Sequence, residues 1–236
     1  IEFARKYKGH SDAPFALFMA GNCLVRQKDY LAAMECLAQL LRDYPDSSII
    51  PRVRFMQADI LSFLGRFSEA IVVYDELITK YPASELVFDA WGRKGDCQFT
   101  LGTDNSARYV ESMESYRVIV QSSKTSIDKI MQAQYKIGKC MEKLNRTEEA
   151  FEHYYRNCII KYADFLKQNP RRNSSFDVWF ARSIISAAEI KEKEQNWKAA
   201  VAILERLSES DIVFAQEAKE KIKHIKERHP EFFITE

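Results

Sequence analysis

Small and apolar residues recur along the chain at helical spacing: Leu17, Gly21 and Leu24, then Ala33, Leu37 and Leu40, then Ala58 and Leu61, then Ala70, Tyr74 and Leu77. Spacings of three and four residues put each set on one face of an amphipathic helix. The sets alternate with turn signals, so the pattern predicts paired helices. Each first helix opens at Pro14 or Pro51, where a missing N–H and a fixed φ are harmless. Each second helix follows a short turn, Lys28-Asp29 or Gly65-Arg66, and stops at Tyr44-Pro45 or Tyr81-Pro82. No stretch reads as an alternating strand.

The pairs repeat with a period of 37 residues: Tyr7, Tyr44 and Tyr81; Pro14 and Pro51; Phe18 and Phe55; Gly21, Ala58 and Gly95; Tyr30 and Phe67; Ala33 and Ala70; Ser47 and Ser84. Two antiparallel helices approach closely only where side chains are minimal. Gly21 against Ala33, and Ala58 against Ala70, are therefore expected at the seam of each hairpin, with Leu17, Leu24, Tyr30 and Leu37 filling around the first pair.

In these positions the chain resembles the tetratricopeptide repeat, whose pattern is Trp-x2-Leu-Gly-x2-Tyr, Ala-x3-Phe and Pro. The first repeat reads Leu17-x2-Ala20-Gly21-x2-Leu24, Ala33-x3-Leu37 and Pro45; the second reads Ala58-x2-Leu61, Ala70-x3-Tyr74 and Pro82. The second departs at Arg54 and Gln57, which are expected outside the core. The third carries Trp91-x2-Lys94-Gly95 with a turn stretched through Gly102 to Ser106. The fourth has Gly138-x2-Met141 and Ala150-x3-Tyr154, and the fifth has Ala188, Trp197, Ala200-x3-Leu204 and Leu207. The resemblance implies an all-α fold, an α-α superhelix in which residues 1–236 form one TPR-like solenoid. Its repeats are expected at 14–47, 51–84, 88–124, 131–168 and 176–210, with a C-terminal capping helix at 211–228. Tyr7-Lys8-Gly9 sits one period before Tyr44-Pro45-Asp46, so residues 1–11 read as the tail of a truncated repeat of a longer array. The Tyr-Pro-x-Ser linkers resemble a long-linker subtype of bacterial envelope proteins, including outer-membrane assembly lipoproteins, which implies a periplasmic or outer-membrane-associated setting; the five cysteines argue against an oxidising compartment and keep a cytoplasmic one open.

Composition agrees with helix: only 7 Gly are present in 236 residues. The 35 Lys+Arg against 34 Asp+Glu leave a net charge of +1, which argues against a nucleic-acid partner. No run is apolar enough for a membrane span. The cysteines, Cys23, Cys36, Cys97, Cys140 and Cys158, contain no Cys-x-x-Cys pair and read as reduced, buried fillers. Cys23, Cys97 and Cys140 each stand two residues after the helical glycine, a seam position, which argues packing over a Cys140–His153 nucleophile. His224 and His229, five apart, read as lying on different faces, and no metal-binding, nucleotide-binding or nucleophile motif occurs. No catalytic residue, cofactor or metal is expected.

The resemblance further implies a protein or peptide partner held in a concave groove lined by first helices. Counted from the central small residue, the groove positions are Phe15, Phe18, Asn22 and Arg26; Arg52, Phe55 and Asp59; Asp89 and Asp96; Tyr135 and Lys139; Arg182 and Glu189. Aromatics and Arg are common interface anchors, and Phe18 and Phe55, one period apart, either line this groove or pack between repeats. Phe18 stands where the family's peptide-carboxylate clamp has Lys, so a chaperone tail is not the expected ligand. Two other classes remain. An all-α enzyme would use the inserted loops, but Asp104, Arg171 and Arg172 there supply no nucleophile and base. A helical-repeat RNA binder would want one recurring polar groove position, and this chain has Phe18, Phe55, Gly92, Tyr135 and Ile185.

Overall fold

The computed structural model describes residues 2, 6, 8–169, 174–212 and 214–233. Tyr7, with residues 1 and 3–5 of the expected N-terminal tail, lies outside them, as do Pro170 to Asn173 of the loop that includes Arg171 and Arg172. Among the described residues there are helices and no strand: α1 (Ala13–Arg26), α2 (Tyr30–Asp43), α3 (Ile50–Phe63), α4 (Phe67–Lys80), α5 (Val87–Leu101), α6 (Ala107–Gln121), α7 (Ile127–Lys143), α8 (Thr147–His153), a π-helix (Tyr154–Ile160), α9 (Lys161–Gln168), α10 (Ser174–Lys193), α11 (Trp197–Ser208), α12 (Ala215–Arg228) and a 3₁₀ turn (Pro230–Phe232). The chain forms two compact units, residues 1–115 and 116–236.

Four hairpins turn in the same way. Seven residues after the central small residue the backbone enters the left-handed region, at Lys28 (φ 62°), Gly65 (φ 74°), Asn145 (φ 59°) and Gln195 (φ 59°). The next amide reaches back to a carbonyl of the last helical turn: Asp29 to Leu24, Arg66 to Leu61, Arg146 to Met141 and Asn196 to Lys191, at 2.8–3.0 Å. This closes the orphan carbonyls of the first helix. The second helix then starts in one of two ways. Asp29 and Asn196 accept the amides of Ala32 and Ala199, while Arg66 and Arg146 fork onto Glu69 and Glu149 three residues on. The third hairpin has no left-handed residue at this place. Its turn holds extra residues, and Ser112 occupies the alanine position, donating to the Gly95 carbonyl at 2.8 Å.

The linkers repeat too. Ser47 N–H donates to Tyr44 O and Ile50 N–H to Ser47 O; Ser84 N–H donates to Tyr81 O and Val87 N–H to Ser84 O. Chain-local turns therefore set where α3 and α5 begin. One core holds Leu17, Ala33, Leu37, Leu40, Val53 and Ile60, and the next holds Ala58, Ala70, Tyr74, Leu77, Ala90 and Cys97. In the second unit α10 packs on α7 and the π-helix, and α12 covers α11, with Ala218 and Ile225 buried, Lys219, Lys223 and Lys226 exposed, and Lys221 half-buried against Glu189 and Glu192.

Three expectations change. Gln57 is core, 7% exposed, because Arg54 Nη1 donates to its Oε1 at 3.1 Å and Arg54 in turn pairs with Glu76 at 3.1 Å. These contacts offset part of the cost of burying the pair, while Arg54 Nε is buried with no hydrogen-bond partner. Cys36, Cys97, Cys140 and Cys158 are buried, but Cys23 is exposed. Its counterpart Ile60 is shut in by the hairpin before it, and Cys97 Sγ lies 3.1 Å from Ser62 Oγ of the hairpin before it; among the described residues α1 has no such neighbour. His224 and His229 share one cavity of about 450 Å³, since His229 lies past the end of α12 and stacks on Trp197 at 3.7 Å between ring centroids. The π-helix inserts one residue into the fourth second helix. The position that Leu40 and Leu77 occupy would be the exposed Asn157, and Cys158 is buried in its place.

A Cβ on Gly138 would meet Tyr154 Cε1 at 2.3 Å, inside a ring locked by packing, whereas a Cβ on Gly21 would meet the end of Leu37 at 3.1 Å. Gly138→Ala is therefore expected to destabilise the protein by about 1–3 kcal/mol through overpacking. Gly21→Ala, which gains about 1 kcal/mol of helix propensity, should be close to neutral. Urea unfolding followed by circular dichroism compares them; equal effects would contradict the seam geometry.

Candidate functional site

The 37-residue offset places α3 beside α1, so residues at corresponding positions form rows. Phe18, Asn22 and Val25 of α1 and Arg52, Phe55, Met56, Asp59, Ile60 and Phe63 of α3 line an open cavity of about 430 Å³, closed at one end by Glu85 and Leu86. Of the predicted groove residues, five meet here: Phe18, Asn22, Arg52, Phe55 and Asp59. Phe18 and Phe55 do both things the sequence allowed. Each ring is half-buried against a hairpin core, Phe55 edge-on to Tyr74 at 5.8 Å, and each also faces the cavity. Phe15, 52% exposed, lines a neighbouring cavity of about 720 Å³ with Pro14, Tyr81 and Pro82. Arg52 and Glu85 border both cavities and are joined at 2.6 Å. Arg26 is exposed at the end of α1, away from either cavity. Asp89 and Asp96 sit half-buried on α5.

Sequence reasoning missed Phe63 and Glu85. Phe63, 59% exposed, forms a wall of the cavity and lies 5.7 Å from the Tyr30 ring. It is in the last turn of α3, five residues after Ala58 as Arg26 is after Gly21, so the Arg26 row was the signal that could have found it. Glu85 comes from a linker whose path the periodicity does not specify.

In the second unit, Tyr135 lies 5.5 Å from Trp179 and 6.0 Å from Tyr154. Lys139 is held by Glu142 at 3.0 Å, Arg182 covers the Trp179 ring, and Glu189 accepts from Lys221 at 3.0 Å. His153 sets Nε2 on the Gln134 carbonyl at 3.0 Å and Nδ1 3.2 Å from Asn157 Nδ2. A carbonyl only accepts, so Nε2 carries a proton; burial holds the pKa of the ring below the usual histidine range, with the Gln134 hydrogen bond opposing it. Burial also pushes the Cys158 thiol up to about 12 and raises Cys97, which keeps both as thiols. Among the described residues no group of His, Cys, Asp or Glu is arranged to hold a metal ion, and no helix is long and apolar enough to cross a membrane.

Asp59 joins the cavity to the core. Its Oδ1 accepts the Tyr74 hydroxyl at 2.6 Å and lies 3.6 Å from Arg93 Nε. Desolvation raises its pKa above the ordinary aspartate value, the Tyr74 hydrogen bond and Arg93 oppose this, and the charges of Asp89 and Asp96 add to it. A carboxyl whose pKa is raised on folding weakens the fold when ionised, and the protein regains that stability as pH falls through the raised value toward 3.8. Asp59→Asn, whose amide oxygen can still accept from Tyr74, should therefore raise the thermal midpoint at neutral pH, with the gap closing on acidification. A gap that stays constant with pH, or a less stable variant, would refute this.

Residues 15–47, 52–84 and 132–164 match the family model for the tetratricopeptide repeat. No curated protein matches the sequence. Among solved structures, MamA (residues 41 to the end) from Desulfovibrio magneticus RS-1 is 13% identical, with 91% of this chain and 96% of that one covered, at a TM-score of 0.57. YrrB, described as a TPR protein with an unusual peptide-binding site, is 13% identical over 92% and 97% at 0.55. The apo form of RapI is 14% identical over 95% of this chain and 61% of its own at 0.65. The hairpin geometry, the three matched segments and these neighbours agree: the matched segments are tetratricopeptide repeats, and the fold is all-α, of the α-α superhelix class.

Proposed function

We propose that this protein is an interaction scaffold that holds an extended peptide of a partner protein against the first helices of its N-terminal unit. The observation that carries this reading is the open cavity between α1 and α3, where half-buried Phe18 and Phe55 and the exposed Phe63 stand beside Asn22, Arg52 and Asp59. An apolar cleft with a few polar groups at its edge is how proteins seat a side chain and fix the direction of the chain that bears it. The neighbouring cavity at Tyr81 and Pro82 extends the same face past the Arg52–Glu85 pair, room for residues on one side of an anchor. The peptide-binding site of YrrB gives the fold a precedent for this use.

Panning a random peptide display library on the protein should enrich peptides that bind the intact chain. Phe63→Ala removes an exposed ring and should leave the helical circular dichroism unchanged while weakening those peptides by about tenfold or more, as expected for an aromatic anchor; Phe18→Ala should do the same. Binding that survives both substitutions would overturn the site.

A further inference from the structure

The last helices of the second unit border a cavity of about 450 Å³ lined by Lys193 from the last turn of α10, Trp197 from the start of α11, and Lys221, His224, Ile225 and Arg228 from α12. The α12 residues follow at spacings of three and four, so they share one face of that helix. His229 completes the wall, stacked on Trp197. Lys193, Lys221 and Arg228 are thus lining cations, against one lining carboxylate, Glu192. That carboxylate is already answered: Lys221 lies 3.5 Å from Glu192 and 3.0 Å from Glu189, which does not line the cavity. The acids beside the other cations in sequence are taken as well. Glu194 pairs with Lys191 at 2.9 Å, Glu227 with Lys223 at 3.7 Å, and Glu231 lies 3.7 Å from His229. Lys193, His224 and Arg228 are exposed and, among the described residues, have no side-chain ion pair or hydrogen bond. The C-terminal ends of α10 and α12 offset part of this charge and the N-terminal end of α11 adds to it, each by a fraction of a unit.

We infer that this cavity seats an acidic segment of a partner protein, an extended peptide with Glu or Asp at alternate positions whose carboxylates meet Lys193, His224 and Arg228. An acidic segment supplies the partners these side chains lack, and a basic one would meet repulsion. The spacing fits as well. One turn of α12 separates His224 from Arg228, a rise of about 6 Å, and alternate side chains of an extended chain recur every ~6.6 Å on one side. Between the cations, buried Ile225 and the Trp197 ring give the methylenes of a Glu side chain an apolar floor. The volume is that of a site for a ligand of many atoms, larger than one small anion fills. This site is separate from the aromatic groove of the N-terminal unit and does not rest on that reading.

The probes are fluorescein-labelled octapeptides of one background sequence carrying two Glu at alternate positions, two adjacent Glu, two alternate Ser or two alternate Lys, titrated by anisotropy against the whole chain at low and moderate salt. The alternate-Glu peptide should bind about fivefold tighter than the Ser peptide, as two or three exposed charge contacts allow, with the margin shrinking as salt rises. The Lys193→Ser/Arg228→Ser variant changes two exposed side chains and should lose most of that margin with its helicity unchanged. Phe63→Ala should leave the margin intact, which separates this site from the N-terminal groove. Should the double variant lose helicity, Lys193→Ser and His224→Gln must each reduce the margin on their own. A margin that survives these substitutions, a Lys peptide that binds as tightly as the alternate-Glu one, or no binding by any peptide overturns the inference. Inorganic phosphate that displaces the alternate-Glu peptide at concentrations near the peptide's own Kd also overturns it, because a free anion is then the occupant. Equal binding of adjacent and alternate Glu overturns the extended register along α12.

Discussion

The structure depends on one contact repeated along the chain: a minimal side chain at the middle of a first helix, against a large one on the second helix of the same hairpin. Gly21 faces Leu37, and Gly138 lies under the Tyr154 ring, so close that a methyl group would stand 2.3 Å from it. Ala58 shares a core with Tyr74, and Ala188 is buried in the same unit as Leu204. Helix backbones that approach this closely fix the spacing and crossing of the pair, and everything outside the pair is positioned by it. The left-handed turn seven residues later follows because a chain leaving the seam must reverse at once to bring the next alanine back to it.

Within that constraint, local chemistry is interchangeable. A left-handed glycine costs little at Gly65, while Lys28, Asn145 and Gln195 accept the strain of the same conformation. Asp29 and Asn196 cap a helix start by hydrogen bond and Arg66 and Arg146 occupy the same site with an ion-pair fork. The third hairpin keeps its seam with a serine that donates to the opposing backbone. The family model matches the first, second and fourth hairpins. The fifth nonetheless has a left-handed Gln195, an Asn196 cap and a buried Ala200 at the same offsets.

This explains what was legible. Period, hairpin order, turn positions and the adjacency of Phe18 and Phe55 all follow from seam spacing, which is written in small residues and prolines. Burial of single polar or sulfur-bearing positions is not, because it depends on partners away from the helix that bears them. Gln57 is inside where Arg54 donates to it and is itself paired with Glu76 across the hairpin, and Cys23 is outside because no described hairpin covers it. The one-residue insertion that makes the π-helix leaves the composition helical and is visible only as the burial of Cys158 where Asn157 was due. Half of the cavity was readable from the rows. Phe63 stands one period after Arg26 and was readable from that row although it was not counted in the second repeat, whereas Glu85 lies on a linker whose path the period does not specify.

Seam and groove are also chemically tied. The family pattern has Phe where this chain has Tyr74 and Tyr154. Each added hydroxyl is buried against the first helix and needs an acceptor there: Tyr74 donates to Asp59 at 2.6 Å and Tyr154 to Glu142 at 2.7 Å. The acceptors differ in what they do next. Glu142 also holds Lys139, so in the second unit the carboxylate introduced by the tyrosine is neutralised on its own helix. Asp59 has Arg93 at a longer 3.6 Å and like charges at Asp89 and Asp96. A packing choice at the seam thus places a partly desolvated acid on the wall of an aromatic cavity, a consequence of how the hairpin beneath it is filled.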